Sequence, residues 1–504
     1  MPKGAPPHIL AIDLGSGSVR AAVFDLKGRL QGLASAPLTP TTPRDVPLGK
    51  EFNPTAVWRQ VAGLVAAALK KARTGGGGIA GVAATSQREG IALLDAKGKT
   101  LAMGPNSDTR AFFEGQAIDE ERGAAVYRVT GHTPSLLFAP AKLRWLQQQR
   151  PAVAAWVASI LSLDGWLAFQ VSGERALESS AAAELGLVDI SSRALARDLL
   201  GSLGFPSIVP PLVQPGRRIG AVTKAAAAAT GLRAGTPVIA AGPDTQCALL
   251  GMGVRAPGEI GIVAGTTAPV QMALDAPIID EKIRTWSGLH LTQKGWVLES
   301  NASDAGTAYA WLVATLLGRA DVTAFAEAER LAAKAPARAG TLAFLGPQRA
   351  DMGNIGPKMG GLLFPIPLSI GGADRGRLLR AAKENLAFAL RANIEQVEEI
   401  AQRKATRISI GGGMAKSALL CRIIADTANR EIAIAREAEV AALGAAICAA
   451  AGAGCFSDIE TASRAMHSPE RIVRPRASEA LECQEHYEKW QGLTKQMDGL
   501  SSFL

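Results

Sequence analysis

Apolar residues open this chain in short runs broken by turn residues. ILAIDL and RAAVFDL flank Gly15-Ser16-Gly17, and Lys27-Gly28 marks a further reversal, so residues 8–32 predict a three-stranded meander. The period then changes. Residues 57–71 carry apolar positions at helical spacing behind Asn53-Pro54-Thr55, which predicts a helix that ends at the glycine run 75–78. Ile79 to Thr85 is continuously apolar or β-branched and predicts a buried strand running into Ser86-Gln87-Arg88-Glu89. Polar groups directly after a buried strand of an α/β sheet are placed to face a ligand.

A second meander follows at residues 258–274, where EIGIVAG and APVQMAL flank Thr266-Thr267. Its turn, Gly265-Thr266-Thr267, echoes Gly15-Ser16-Gly17, and similarity at that separation points to a duplicated chain of two related domains. Between them GTPVIAAGPD predicts a strand that ends on Asp244. The boundary is placed there, giving an N-terminal domain over 1–241, a C-terminal domain over 242–466 and a helical extension over 467–504. Helices are expected over 382–399, 417–429 and 440–453, with a strand over 406–413 entering Gly411-Gly412-Gly413.

Composition narrows the function classes. The 504 residues are 48% hydrophobic and 20% charged, a globular balance with room for two cores. The formal charge of +9 comes from Lys and Arg spread along the chain without interleaved aromatics, which argues against nucleic acid as a partner. Arg464 to Arg476, the densest basic stretch, reads as a solvated surface. Five cysteines form no CxxC pair and lie in apolar segments, as reduced thiols of a cytoplasmic protein do. No run reaches the roughly 18 apolar residues of a membrane span, so no membrane partner is expected.

Two nucleotide motifs are nearly present and both fail. Gly15-Ser16-Gly17-Ser18-Val19-Arg20 has Arg20 where a dinucleotide fingerprint needs glycine, and a strand pattern follows it. Gly411 to Ser417 resembles a Walker A loop, but Ala415 occupies a required glycine. What remains is a turn between strands with an acid before it, hydroxyls within it and a basic residue after it. Its amides and hydroxyls suit phosphate oxygens, and its carboxylate suits a magnesium ion held partly through water.

With AIDLGSGSVRAAVFD, TSQREG, GPDTQCALLG, VAGTTAPV, AAKENLAFALR, ISIGGGMAKSALLCRIIAD and EVAALGAAICAA in this order, the chain resembles the FGGY family of carbohydrate kinases nearly end to end. Details such as SQREG and VYRVTGHT are closest to its xylulokinase-like and autoinducer-2-kinase-like branches. The resemblance implies an α/β fold of two ribonuclease-H-like, actin-like ATPase domains with a nucleotide and sugar cleft between them. It implies ATP and Mg²⁺ as cofactors, a small sugar as partner, and a homodimer as a common assembly for such kinases.

Carried over by position, the resemblance makes Asp244 the general base and, with Asp13, a magnesium contact. Arg88, Glu89, Asp108, Asp244 and Thr245 fall on the sugar side. Ser16, Gly17, Arg20, Gly265, Thr266 and Thr267 would hold the phosphates, and Gly412, Gly413, Met414 and Ser417 the adenosine. A ketose or polyol is the expected acceptor, a pentulose first, with a dihydroxypentanedione-type signal molecule as the alternative. Leu137 stands where glycerol kinases place a tyrosine, and Arg88-Glu89 replaces the Met-His typical of xylulokinases. An actin-like ATPase switch is the competing class, disfavoured by the sugar-side acid. Bland readings also stand: Asp244 could cap a helix, Arg88-Glu89 could be a surface ion pair, His132 a turn residue, and Trp58 and Trp145 core packing.

Overall fold

Alternation along the strands builds the first core. The structure is a computed structural model describing residues 7–366, 373–467 and 471–500. Its strands β1 (His8–Leu14), β2 (Ser18–Phe24), β3 (Leu30–Pro37), β4 (Ile79–Ser86), β5 (Arg218–Ala221) and β6 (Pro237–Pro243) form one sheet in the order β5-β6-β4-β1-β2-β3. β1 runs antiparallel to β2 and parallel to β4, and β6 runs parallel to β4. Successive side chains point to opposite faces. Leu10 and Ile12 therefore meet Val57, Val61, Val65 and Leu69 of the helix Pro54–Lys71 on one face. Asn53 caps that helix through the Ala56 amide at 3.0 Å.

Ile9 and Ala11 turn to the other face, against the helix Val440–Gly452 and against Cys247 and Leu250 of the helix Asp244–Gly251. Those two helices touch backbone to backbone. A Cβ on Gly444 would lie 1.8 Å from the Cys247 carbonyl oxygen, and one on Gly251 would lie 2.1 Å from that of Val440. Only glycine fits either position.

The second unit repeats the scheme. β7 (Glu259–Val263), β8 (Thr267–Leu274), β9 (Arg407–Gly411), β10 (Ile432–Ile434) and β11 (Arg471–Val473) pair in the order β8-β7-β9-β10-β11. β7 is antiparallel to β8 and parallel to β9, as β1 is to β2 and β4. The duplication read from the two turns is thus realised in the strand pairing.

The division of the chain differs from the expected one. The chain up to Pro257, Ala273–Val297 and a return from Glu439 make the first unit; Gly258–Met272, Leu298–Ala438 and the C-terminal segment make the second. A boundary at 241/242 would cut between β6 and the helix it leads into, and β6 is tied to β4 far earlier in the sequence. Residues after 439 leave the expected C-terminal domain because their alanines and glycines pack under the first sheet. Nor is the segment after 467 a separate extension. β11 joins the second sheet, and the helix Ala480–Leu500 buries Cys483, Tyr487 and Trp490, with Trp490 Nε1 donating to Asn385 Oδ1 at 2.9 Å.

Candidate active site

Adjacent strand ends bring predicted residues of the first unit together. Ser86 at the end of β4 pairs with Pro243 at the end of β6, so Arg88 and Glu89 leave the sheet beside Asp244. β1 lies on the other side of β4, and in its hairpin Asp13 is registered opposite Arg20. The Arg20 guanidinium donates to Asp13 Oδ2 at 3.1 Å and pairs with Glu439 at 3.2 Å. Asp13 Oδ1 is buried and accepts no hydrogen bond. Strand, not helix, follows the Gly15–Ser18 turn, and Ser16 and Gly17 stand exposed at its tip.

Electrostatics set these acids apart from ordinary carboxylates. Burial pushes Asp13 up to about 6 despite the Arg20 charge. Desolvation, with the Asp13 charge second, pushes Asp244 up to about 8, Arg88 pulling the other way. An acid in this range is a stronger base than a solvated aspartate and is matched to proton transfer near neutral pH. Asp244 heads its helix, and its Oδ1 accepts from the next amide, that of Thr245, at 2.8 Å. The Thr245 hydroxyl is turned to Gln246 Oε1 at 2.6 Å.

Arg88 is held on three sides. Its guanidinium lies 5.2 Å over the Trp286 ring, 3.6 Å from Glu89 Oε1 and 3.2 Å from Glu184 Oε2. Glu184, in the Ala-rich helix Ser179–Glu184, also meets His132 Nε2 at 3.5 Å and accepts from Gln246 Nε2 at 2.6 Å. Burial would raise its carboxyl, but the charges of Arg88 and His132 outweigh it and hold Glu184 near 2. Sequence reading missed Glu184 and took His132 for a turn residue. The one available signal was an acid set in SSAAAELG, a segment otherwise built for burial.

Asp108 is engaged differently. Its carboxylate takes both contacts from Arg110 Nε, at 2.8 and 2.9 Å, and the Lys50 amide at 3.0 Å. Arg110 in turn pairs with Glu51 and covers the Trp145 ring at 4.9 Å. A cavity here is lined by Asp108, Arg110, Trp145 and Lys142, and the buried Lys142 ammonium donates to the Glu89 carbonyl at 2.6 Å. Asp108 thereby stands behind Glu89.

The second unit holds the other predicted residues. Gly265, Thr266 and Thr267 form the turn between β7 and β8, with Thr266 and Thr267 exposed. The Gly306 amide, heading the helix Gly306–Leu317, donates to the carbonyls of Gly265 at 3.1 Å and Thr266 at 3.0 Å. Gly412 has φ of 96°, and a Cβ there would lie 2.6 Å from the Ala264 carbonyl oxygen. Met414 donates its amide to that same oxygen at 3.0 Å. Two glycine turns are therefore stitched together, and Gly413 has open space around it. Met414 lines a small, mostly apolar cavity with Tyr309, Leu345, Pro347 and Lys383. The Ser417 hydroxyl is occupied in the framework: it caps the helix Ala418–Ala428 and bonds Glu329 and Lys383.

Among the described residues no helix is long and apolar enough to cross a membrane, and no three His, Cys, Asp or Glu side chains are gathered to hold a metal. A magnesium ion that keeps waters and phosphate oxygens needs only one or two carboxylates, and the unpartnered Asp13 Oδ1 is such a donor.

Comparison with known proteins agrees with this architecture. The N-terminal domain model of the FGGY family of carbohydrate kinases matches residues 8–251 and its C-terminal domain model residues 260–453. An autoinducer-2 kinase of Klebsiella pneumoniae is 31% identical over 98% of this chain and 94% of its own. One from Escherichia coli is 30% identical, over 99% and 96%. Among solved structures, xylulose kinase from Rhodospirillum rubrum superposes with a TM-score of 0.84 at 26% identity, covering 98% of this chain and 100% of that one. Plasmodium falciparum glycerol kinase with ADP has the same fold at a TM-score of 0.82 and 17% identity, over 97% and 98%. With both halves of the family's model matched along most of its length, this chain belongs to the FGGY family of carbohydrate kinases and is an ATP-dependent sugar kinase.

Proposed function

We propose that the enzyme transfers the γ-phosphoryl group of ATP to a hydroxyl of a ketose or polyol, a pentulose first, with Asp244 as general base. The observation that carries this reading is the β4–β6 register, which brings Asp244 out beside Arg88 and Glu89. Arg88 and Glu89 offer a donor and an acceptor to neighbouring sugar hydroxyls, and Asp244 takes the proton of the attacking one. Phosphoryl transfer is mainly positioning and charge stabilisation, so no covalent intermediate on the protein is required. Ser16, Gly17 and Arg20 on one turn, and Gly265, Thr266 and Thr267 on the other, hold phosphates; Gly412, Gly413 and Met414 border the adenosine.

Asp13 and Asp244 are the residues to hold Mg²⁺, which when bound with ATP would add positive charge against the phosphates and the two acids. The chemistry left to the chain's own groups is orientation by Arg88 and Glu89 and proton acceptance at Asp244. A dihydroxypentanedione-type acceptor is the second reading, favoured by the roughly 30% identity to autoinducer-2 kinases over nearly the whole chain.

An ADP-release assay across ketoses, polyols and dihydroxypentanedione derivatives tests the reading. One acceptor class should stimulate turnover, and Asp244→Ala should abolish it while retaining nucleotide binding. If no acceptor raises ADP release above that of ATP alone, the proposal fails.

A further inference from the structure

Glu184 is a buried acid that the proposed phosphoryl-transfer chemistry does not use, yet it pairs with the sugar-side arginine. Its Oε2 lies 3.2 Å from Arg88 NH1 and its Oε1 accepts from Gln246 Nε2 at 2.6 Å. Burying an ion pair costs several kcal/mol per ion before attraction offsets it, and an apolar residue would pack the same space without that cost. The retained charge therefore points to selectivity.

An arginine facing a polyhydroxylated ligand would favour a carboxylate on it, because a guanidinium binds carboxylates through two parallel hydrogen bonds. Here both flanks of Arg88 carry acids, Glu184 and Glu89, and Trp286 covers its face. Glu184 also meets His132 Nε2 at 3.5 Å, and the Lys142 ammonium is directed at the Glu89 backbone carbonyl at 2.6 Å. The Arg88 charge is thus already engaged by two carboxylates.

Resting on the sugar-kinase reading above, we infer that the pocket is built for an uncharged polyol or ketose and that Glu184 discriminates against its aldonate counterpart by neutralising Arg88. Specificity of this kind is negative: the wrong ligand meets like charge and an arginine already engaged.

Two measurements on the full chain test it. Binding of a neutral pentitol and of the matching pentonate to the wild-type protein, by calorimetry without turnover, should favour the pentitol by about tenfold or more. Equal or tighter pentonate binding overturns the inference. In Glu184→Gln, which keeps the shape and a hydrogen bond to Arg88, the ketose-to-aldonate ratio of kcat/KM should fall about tenfold, through the aldonate KM, with the KM for ATP unchanged. An unchanged ratio, or an equal loss for both sugars, also overturns it. Should no sugar be turned over, the acceptor reading falls, while the pentitol-against-pentonate binding measurement still decides the charge preference.

Discussion

Lys142 Nζ donates to the backbone carbonyl of Glu89 at 2.6 Å, and Glu89 stands in the left-handed region at φ of 56°. A residue with a β-carbon held there carries strain on the order of 1–3 kcal/mol, so something nearby must fix it. The buried ammonium does so, and its charge also feels Asp108 and Glu89. We expect Lys142→Met to raise the sugar KM by about tenfold or more with the ATP KM little changed, and Lys142→Arg to recover part of the loss. Steady-state kinetics with each substrate varied in turn check this; a matching rise in the ATP KM would count against it.

Asp244 should make the nucleotide-free protein less stable as pH rises. Its carboxyl is raised from 3.8 to about 8 on folding. The stability that comes from its protonated form is complete below the unfolded value and is lost as pH climbs to the folded one. Asn cannot ionise. The melting temperature of Asp244→Asn should therefore exceed that of wild type by a margin that widens from pH 5 to pH 8.5, by thermal denaturation in a buffer series. A margin that stays flat would show that the acid is not held so far above its ordinary range.

Gly412 joins the two turns of the second unit. With φ of 96° and a backbone oxygen 2.6 Å from where a Cβ would stand, Gly412→Ala must displace the Ala264 carbonyl that also receives the Met414 amide. The expected result is a loss of ATP affinity larger than the loss of sugar affinity, read by calorimetry with each ligand. Equal retention of both would remove this turn from the nucleotide site.

Much of this was legible in the sequence because it is local. The strand runs around Gly15 and Gly265, the helix start at Asn53 and the Asp244 turn all follow from neighbours a few residues apart. What was not legible is what distant segments do to one another. Glu184, His132, Arg88 and Gln246 meet through four separate stretches of chain. Asp108 was read as a sugar contact and Ser417 as an adenosine contact; their polar atoms are engaged by Arg110 and by Lys383. The structure divides the chain elsewhere than at 241/242 for the same reason: the pairing of β6 with β4 is a long-range fact.

Trp490 anchors the last helix of the second unit. It is 2% exposed, stacks near Tyr487 and Phe344, and donates to Asn385. Trp490→Ala should cost about 3–5 kcal/mol by chemical denaturation, since it leaves a cavity and an unpartnered amide oxygen. A cost under about 1 kcal/mol would mean the helix docks without it.

The backbone contact of Gly444 with Cys247 and of Gly251 with Val440 has a consequence for how the enzyme comes into being. The helix that begins with Asp244 rests on alanines and glycines made near the end of translation. During synthesis the first sheet can form its strands early, but the underside of that helix stays bare until the ribosome has delivered residues 440–452. A nascent chain stopped short of them would present an apolar face, so premature termination before Val440 should yield aggregates and not a free-standing first unit.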